Sequence, residues 1–239
     1  MKILITGTEN NVGKTFMTAG LATIMQSLGY TVSVYKPIQT GAREINNFLQ
    51  APDLAFVKQI DPFLDTHCTY LLKKNAVPAI AAEFERQTID IETIQKDYRR
   101  ISRAVDTIIV DGTGGLLTPI SPTLYVADIA KSLDLPILIV TKADTASLSN
   151  TLLAAKYAKS QDIEIAGVIV NMYPETTTDI TVRTAPRLIE EYAGVKVLGI
   201  IKDFGPNTPI NAGLLIDTIL NNVDIEEIFK IKIPKLNTF

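Results

Sequence analysis

The chain has 239 residues and a formal net charge of −3, from 23 basic and 26 acidic side chains. It contains no apolar run long enough to cross a bilayer and no long basic run, so neither a membrane nor a nucleic-acid partner is expected. The lone Cys68 cannot form an intramolecular disulfide, and the chain opens directly on a strand rather than on a leader. We therefore expect a cytoplasmic protein.

Short apolar runs alternate with longer amphipathic segments along the whole sequence. Strands are predicted at residues 2–6, 32–36, 107–111, 137–141, 166–171 and 197–201, and helices near 14–28, 53–60, 92–104, 148–160 and 181–193. This alternation predicts one α/β domain over residues 1–239, with helices on both faces of a parallel sheet. Residues 42–90 look irregular and are expected to supply functional loops, and residues 225–239 have no clear pattern.

The first predicted strand leads into Gly-Thr-Glu-Asn-Asn-Val-Gly-Lys-Thr at residues 7–15, and a predicted helix follows. This arrangement is typical of a phosphate-binding loop, in which backbone N–H groups point at phosphate oxygens. Lys14 would reach the β- and γ-phosphates, and the Thr15 hydroxyl could ligate Mg²⁺. The loop departs from the usual spacing because Thr8 stands where the first glycine is expected. The alternative is a chance Gly-Lys-Thr at a helix start.

Two further predicted strands end in candidate site residues. Lys36 ends the second strand and is followed by Pro-Ile-Gln-Thr-Gly, and Asp111 ends the third strand and is followed by Gly-Thr-Gly-Gly. Ligands of open parallel sheets bind beyond the carboxyl ends of strands, so Asp111 resembles a Mg²⁺-binding Walker-B carboxylate. Asp53 at a probable helix start is a possible second carboxylate. The alternatives are a surface lysine, a turn aspartate and a helix cap, respectively.

These segments together resemble one family. Residues 7–15, 35–41 and 110–120 are similar, in order and spacing, to dethiobiotin synthetase, an ATP-dependent enzyme of biotin synthesis, and the resemblance runs from residue 1 to about 205. It implies that MgATP, CO₂ and 7,8-diaminopelargonate give dethiobiotin, ADP and phosphate through a carbamate and a mixed anhydride. It also implies a homodimer whose neighbouring subunit helps to bind the substrate carboxylate.

The resemblance also implies roles for individual residues. Lys14, Lys36 and Thr40 would act on the reacting groups, and Thr15, Asp53 and Asp111 would hold Mg²⁺. The residues that would bind the nucleotide are Glu9, Asn10, Asn11, Val12, Gly13, Lys14, Thr15 and, at adenine, Asn171. The residues that would bind the substrate are Lys36, Thr40, Gly114, Ser147, Ser149 and Asn150.

The sequence departs from the family pattern at several positions. Asp111 replaces a glutamate, Asn11 replaces a carboxylate, and Lys202 lies where a proline-containing base loop is common; the interface asparagine aligns with Ser149 or Asn150. Two alternatives remain open. A corrinoid amide synthetase would need a glutamine-hydrolysing domain, and a partition or septum-positioning ATPase uses a lysine early in its phosphate loop, where this chain has none.

Overall fold

A computed structural model describes residues 1–205 and 208–233 of the chain. Its strands and helices are, in chain order, β1 (Lys2–Gly7), α1 (Lys14–Ser27), β2 (Val32–Thr40), β3 (Arg43–Ile45), β4 (Phe48–Gln50), α2 (Pro52–Ile60), β5 (Asp65–Leu72), α3 (Pro78–Phe84), α4 (Ile91–Ser102), β6 (Thr107–Gly115), α5 (Val126–Ser132), β7 (Ile137–Lys142), α6 (Thr145–Ser160), β8 (Ile165–Tyr173), α7 (Ile180–Ala193), β9 (Val197–Lys202), α8 (Ala212–Asn222) and α9 (Ile225–Phe229).

Seven of the strands form one parallel sheet in the order β5-β2-β6-β1-β7-β8-β9, and β3 and β4 form a separate antiparallel hairpin. The central strand β1 pairs with β6 and β7, so that Leu4 lies between Val110 and Ile137. All carboxyl ends of a parallel sheet lie along one edge. The predicted α/β class is confirmed, and the residues that follow β1, β2 and β6 are brought to one side of the molecule.

Successive residues of the strands supply two separate hydrophobic cores, one on each face of the sheet. Leu4 packs into a core with residues of α3 to α7, whereas its neighbours Ile3 and Ile5 pack into a core with residues of α1, α2, α8 and α9. This alternation follows from the two-residue period of a strand. It explains why the inner strands read as continuous apolar runs, as expected for a sheet that is covered on both faces.

The expectation of irregular structure over residues 42–90 is wrong in part, because this stretch contains the hairpin, β5 and α3 in addition to the predicted α2. Strand β5 is at the edge of the sheet and, among the residues that the structure describes, pairs with β2 alone. Most of its residues are only partly buried, so it lacks the apolar run that marks the inner strands.

The chain beyond β9 contributes α8 and α9 to the core, and neither helix was predicted. Ile225, Ile228 and Phe229 of α9 are buried, and residues 234–239 of the unassigned tail lie outside the described residues. Within the described ranges, no helix combines the length and the apolar character needed to cross a bilayer.

Truncating Leu4 to alanine should strongly reduce the stability of the fold, because its side chain is fully buried in the central strand. We expect a loss of about 2–5 kcal/mol in the free energy of unfolding, measured by urea denaturation. Leu220→Ala is the matched control, since Leu220 is 49% exposed and should change stability little. Equal losses in the two variants would contradict this placement of the core.

Candidate active site

A cavity of about 1150 Å³ opens at the carboxyl ends of β1, β2 and β6. It lies beside the loop between β1 and α1, and predicted site residues from four separate segments of the chain meet in its wall. These residues are Asn10, Asn11, Gly13, Lys14, Thr15, Lys36, Thr40, Asp53 and Gly114. The structure therefore brings together most of the site that the sequence predicts.

The loop between β1 and α1 has the curvature of a phosphate cradle. Asn11 and Gly13 have φ angles of 58° and 95°, in the left-handed region, and Gly13 is the N-cap residue of α1, which has no side-chain cap. The first residues of α1 line the cavity, and no capping side chain competes for their N–H groups, as an anion site requires. Lys14 Nζ donates a hydrogen bond to the Glu9 carbonyl at 3.0 Å. Burial lowers the pKa of this lysine, against the opposing charge of Asp111.

Lys36 forms a buried ionic cluster below the loop. Its Nζ lies 2.7 Å from Asp53 Oδ2 and 2.8 Å from Asp111 Oδ2, and it donates to the Gly112 carbonyl at 3.0 Å. Burial alone would lower the pKa of Lys36, but the two carboxylates outweigh it and raise the pKa. Burial likewise would raise the pKa of Asp53, but the charge of Lys36 keeps it low. Lys36 is therefore a permanent cation at neutral pH.

The oxygen atoms around Asp111 match the ligands that Mg²⁺ prefers. Thr15 Oγ1 lies 3.5 Å from Asp111 Oδ2, and Thr18 Oγ1 donates to the other carboxylate oxygen at 3.3 Å. Hydroxyl and carboxylate oxygens suit a hard cation that also takes phosphate oxygens and water. Groups of three or more His, Cys, Asp or Glu that could hold a metal are absent from residues 1–205 and 208–233. Thr15, Asp53 and Asp111 thus fit Mg²⁺ only as a partial ligand set.

Two basic residues of the cavity wall were not singled out from the sequence. Arg43, at the start of the hairpin, and Lys73, just after β5, both line the cavity, and Lys73 Nζ forms an ion pair with Glu44 at 2.7 Å. Arg43 lies only two residues beyond Gly41, the last residue of the segment that starts at Lys36. This closeness in sequence was the one indication that Arg43 lies near the site. Lys73 follows an edge strand that the sequence did not reveal, and its position could not be anticipated.

A second cavity of about 480 Å³ lies against the other side of the phosphate loop. Its wall includes Leu117 and Leu153, which are more than half exposed, together with the predicted residue Asn150. Ser147 is buried and donates to Asp144 and Glu9, and Ser149 is exposed and outside both cavity walls. Of these three predicted substrate contacts, the fold places Asn150 at a cavity.

Asn171 is buried under the phosphate loop rather than exposed in the large cavity. Its Nδ2 donates to the Val12 carbonyl at 2.8 Å, and 4% of the residue is exposed. The neighbouring Met172, together with Phe16, lines the cavity at this end. Neither of these two apolar residues was predicted, because a methionine at a strand end and a phenylalanine within a helix carry no distinctive signal.

Cys68 is not among the residues that line the large cavity. Cys68 Sγ is 3.4 Å from the Tyr70 carbonyl, and burial raises the pKa of the thiol to about 12. His67, on the opposite face of the same strand, lies 2.6 Å from Asp65. A thiolate is therefore unavailable at neutral pH, so Cys68 is unsuited to act as a nucleophile.

Comparison with known proteins resolves the family. A family model described as an AAA domain matches residues 1–209. The chain is 32% identical to ATP-dependent dethiobiotin synthetase of Bacillus licheniformis, over 82% of this chain and 83% of the relative, and 30% identical to that of Bacillus subtilis strain 168, over 92% and 91%. The chain belongs to the ATP-dependent dethiobiotin synthetase family. The predicted resemblance is thereby confirmed.

Solved structures of other proteins share the fold of this dethiobiotin synthetase family member. MinD cell division protein of Aquifex aeolicus superposes with a TM-score of 0.57 at 20% identity, covering 98% of both chains. Cyanothece McdA, in its complex with ATP, gives a TM-score of 0.59 at 13% identity and the same coverage. At such identities the likeness extends to the architecture alone, and it confirms the predicted phosphate-loop α/β fold.

Replacing Lys36 by methionine should destabilise the protein in a pH-dependent way. The raised pKa of Lys36 and the lowered pKa of Asp53 stabilise the fold between about pH 4 and pH 10, whereas burial raises the pKa of Asp111 and opposes them. We expect Lys36→Met to cost about 3–5 kcal/mol at pH 7, because Asp111 keeps a buried charge without its partner. The cost should shrink at pH 5, since the isolated Asp111 carboxyl then takes up a proton.

Denaturation by urea at both pH values measures this effect. Lys2→Met is the matched control, because it removes an exposed lysine that pairs with Asp134 at 2.9 Å and should leave stability nearly unchanged. If Lys36→Met loses the same free energy of unfolding at both pH values, the carboxylates are not left with an uncompensated charge.

Proposed function

We propose that the chain is an ATP-dependent dethiobiotin synthetase acting on 7,8-diaminopelargonate, CO₂ and ATP. The observation that carries the proposal is the buried Lys36, held by Asp53 and Asp111 in the same cavity wall as Lys14. Two cations beside a phosphate loop suit a reaction in which negative oxygen atoms attack and leave phosphorus. Membership of the synthetase family supports the same assignment.

The first proposed step is capture of CO₂ by an amine of the substrate, with loss of a proton, to give a carbamate anion. Lys36 would stabilise the carbamate, and Thr40, in the same cavity wall, would orient that end of the substrate. A carbamate oxygen then attacks the γ-phosphorus of ATP, and the bond from phosphorus to the ADP oxygen breaks. Lys14 would balance the negative charge on the transferred phosphoryl group.

Ring closure completes the proposed reaction. The second amine attacks the carbonyl carbon of the mixed anhydride, loses a proton, and displaces phosphate by breaking the carbon–oxygen bond. Backbone groups near Gly114 would contact the substrate here. A Cβ atom at Gly114 would lie 2.3 Å from Thr118 Oγ1, so the absence of a side chain is required for this close packing.

Thr15, Asp53 and Asp111 are the residues that would hold Mg²⁺, which would supply positive charge against the negative charge of the phosphates. Asp53 and Asp111 both contact Lys36 in the described structure. Their carboxylate oxygens therefore have to be shared between the ammonium group and the metal. The nucleotide would lie along residues 9–15, with its base toward Asn171 and Met172.

We place the aliphatic part of the substrate in the second cavity. Its wall contains Leu116, Leu117, Leu153 and Ala154 next to loop residues 7–10, which suits a hydrocarbon chain attached to a reacting polar end. Asn150 would face the substrate carboxylate in a homodimer, and the exposed Leu117 and Leu153 would be covered there. A cytoplasmic location fits this soluble-substrate chemistry.

The assignment is tested by measuring phosphate release from MgATP and bicarbonate, with and without 7,8-diaminopelargonate, while dethiobiotin is followed by mass spectrometry. We expect phosphate and dethiobiotin to form in equal amounts and only when the diamine is present. Phosphate release at the same rate with and without the diamine would contradict the synthetase assignment and would instead match a switch ATPase of the same fold.

Lys36→Met should reduce dethiobiotin formation by about a hundredfold or more, because it removes the cation proposed to stabilise the carbamate and the transferred group. Binding of MgATP, measured by calorimetry, should change by less than about threefold, since Lys14 and the loop remain. Lys2→Met serves again as the control and should turn over normally. Normal turnover by Lys36→Met would refute the role given to this lysine.

A further inference from the structure

The end of β8 has an irregularity that determines where Asn171 lies. Ile169 and Val170 pair in register with Gly199 and Ile200 of β9, but the register shifts between Val170 and Tyr173, as it does between Val168 and Ile169. Met172, inside this shift, has a φ angle of 53°, in the left-handed region that non-glycine residues rarely adopt. An extra residue of this kind re-aims neighbouring side chains and is common next to functional sites.

Asn171, immediately before Met172, is directed beneath the phosphate loop. The hydrogen bond from its Nδ2 to the Val12 carbonyl is 2.8 Å long, and both residues are buried. The same nitrogen would lie 2.0 Å from a Cβ atom at Gly13, so the amide occupies the space that any other residue at 13 would fill. The amide and the loop are therefore fitted to each other.

The loop needs such support because Asn11, a residue with a side chain, is in a costly left-handed conformation. Asn11 and Gly13, on either side of Val12, both have left-handed φ angles. For a residue with a side chain, as at Asn11, this conformation persists only where the surroundings hold it. The hydrogen bond to Val12 fixes the peptide between these two positions.

We propose that Asn171 is a positioning residue, which holds the phosphate loop in its binding shape through its amide donor. The proposal rests on the nucleotide site of the proposed function and differs from the adenine contact expected from the sequence. That contact concerns the base, whereas the bond to Val12 acts on the part of the loop that receives the phosphates. Loss of the amide should therefore weaken the binding of every ligand that carries a triphosphate, whatever its base.

Binding of MgATP, MgGTP and magnesium tripolyphosphate to Asn171→Ala provides the first test. We expect affinity for all three to fall by a similar factor of about ten, the usual consequence of leaving one buried carbonyl unpaired. KM for MgATP should rise by the same factor with kcat within about twofold, because the loop binds phosphates equally before and during transfer. A loss confined to ATP would overturn the proposal in favour of a base contact.

Hydrogen exchange in the ligand-free protein provides the second test. In Asn171→Ala, amides of residues 8–13 should exchange at least about tenfold faster, while those of the central strands stay protected. The matched control is Asn222→Ala, whose Nδ2 also donates to a backbone carbonyl, that of Thr218 at 2.8 Å. Unchanged exchange in the loop of Asn171→Ala, or faster exchange spread evenly through the sheet, would overturn the proposal.

The two tests separate failure of this inference from failure of the proposed function. If the unmodified protein binds none of the three phosphate ligands, the nucleotide site is wrong, and the exchange experiment still decides whether Asn171 holds the loop. If it binds them all and Asn171→Ala binds them equally well, the site stands and the positioning role is refuted.

Discussion

The ionic contact of Lys36 with two carboxylates is the constraint on which the arrangement of the site depends. A buried ammonium group is tolerated only when opposite charges and hydrogen-bond acceptors surround it, and Asp53, Asp111 and the Gly112 carbonyl supply them. These partners come from α2 and from β6, whereas the lysine belongs to β2. The cluster therefore joins three separate segments below the phosphate loop. It also keeps Lys36 charged at the position where the proposed chemistry requires a cation.

The loop above this cluster is the second constrained element. Two of its residues have left-handed φ angles, its glycine caps α1 without a side chain, and Asn171 supports it from below. Lys14 meanwhile bonds to the Glu9 carbonyl, across the same turn. The cations thus occupy different settings: Lys36 is held by carboxylates, and Lys14 by a neutral carbonyl. This difference suits one lysine that stays fixed and one that reaches toward the phosphates of a ligand.

The sequence predicted the inner part of the fold and site well, for physical reasons that individual residues illustrate. Strands that are buried on both faces, such as the run around Val110, are continuously apolar, and residues at their carboxyl ends must share one edge. The meeting of Lys36 with Asp111 followed from that rule. The edge strand β5 could not be predicted because one side of it meets solvent and its apolar pattern is incomplete. Lys73 and the bond from Asn171 to Val12 were missed because they depend on loop paths and on a local shift in strand register.

The measurement that most directly tests the central claim follows the oxygen atoms of CO₂. If a carbamate is phosphorylated in this cavity and the phosphate leaves during ring closure, bicarbonate labelled with ¹⁸O should deliver one labelled oxygen to each phosphate released. Mass spectrometry of the phosphate, taken at short reaction times in the presence of 7,8-diaminopelargonate, detects that transfer. Phosphate that carries one labelled oxygen is the result the account predicts. Phosphate that takes its new oxygen from water would contradict it, because ATP would then be hydrolysed without activating a carbamate.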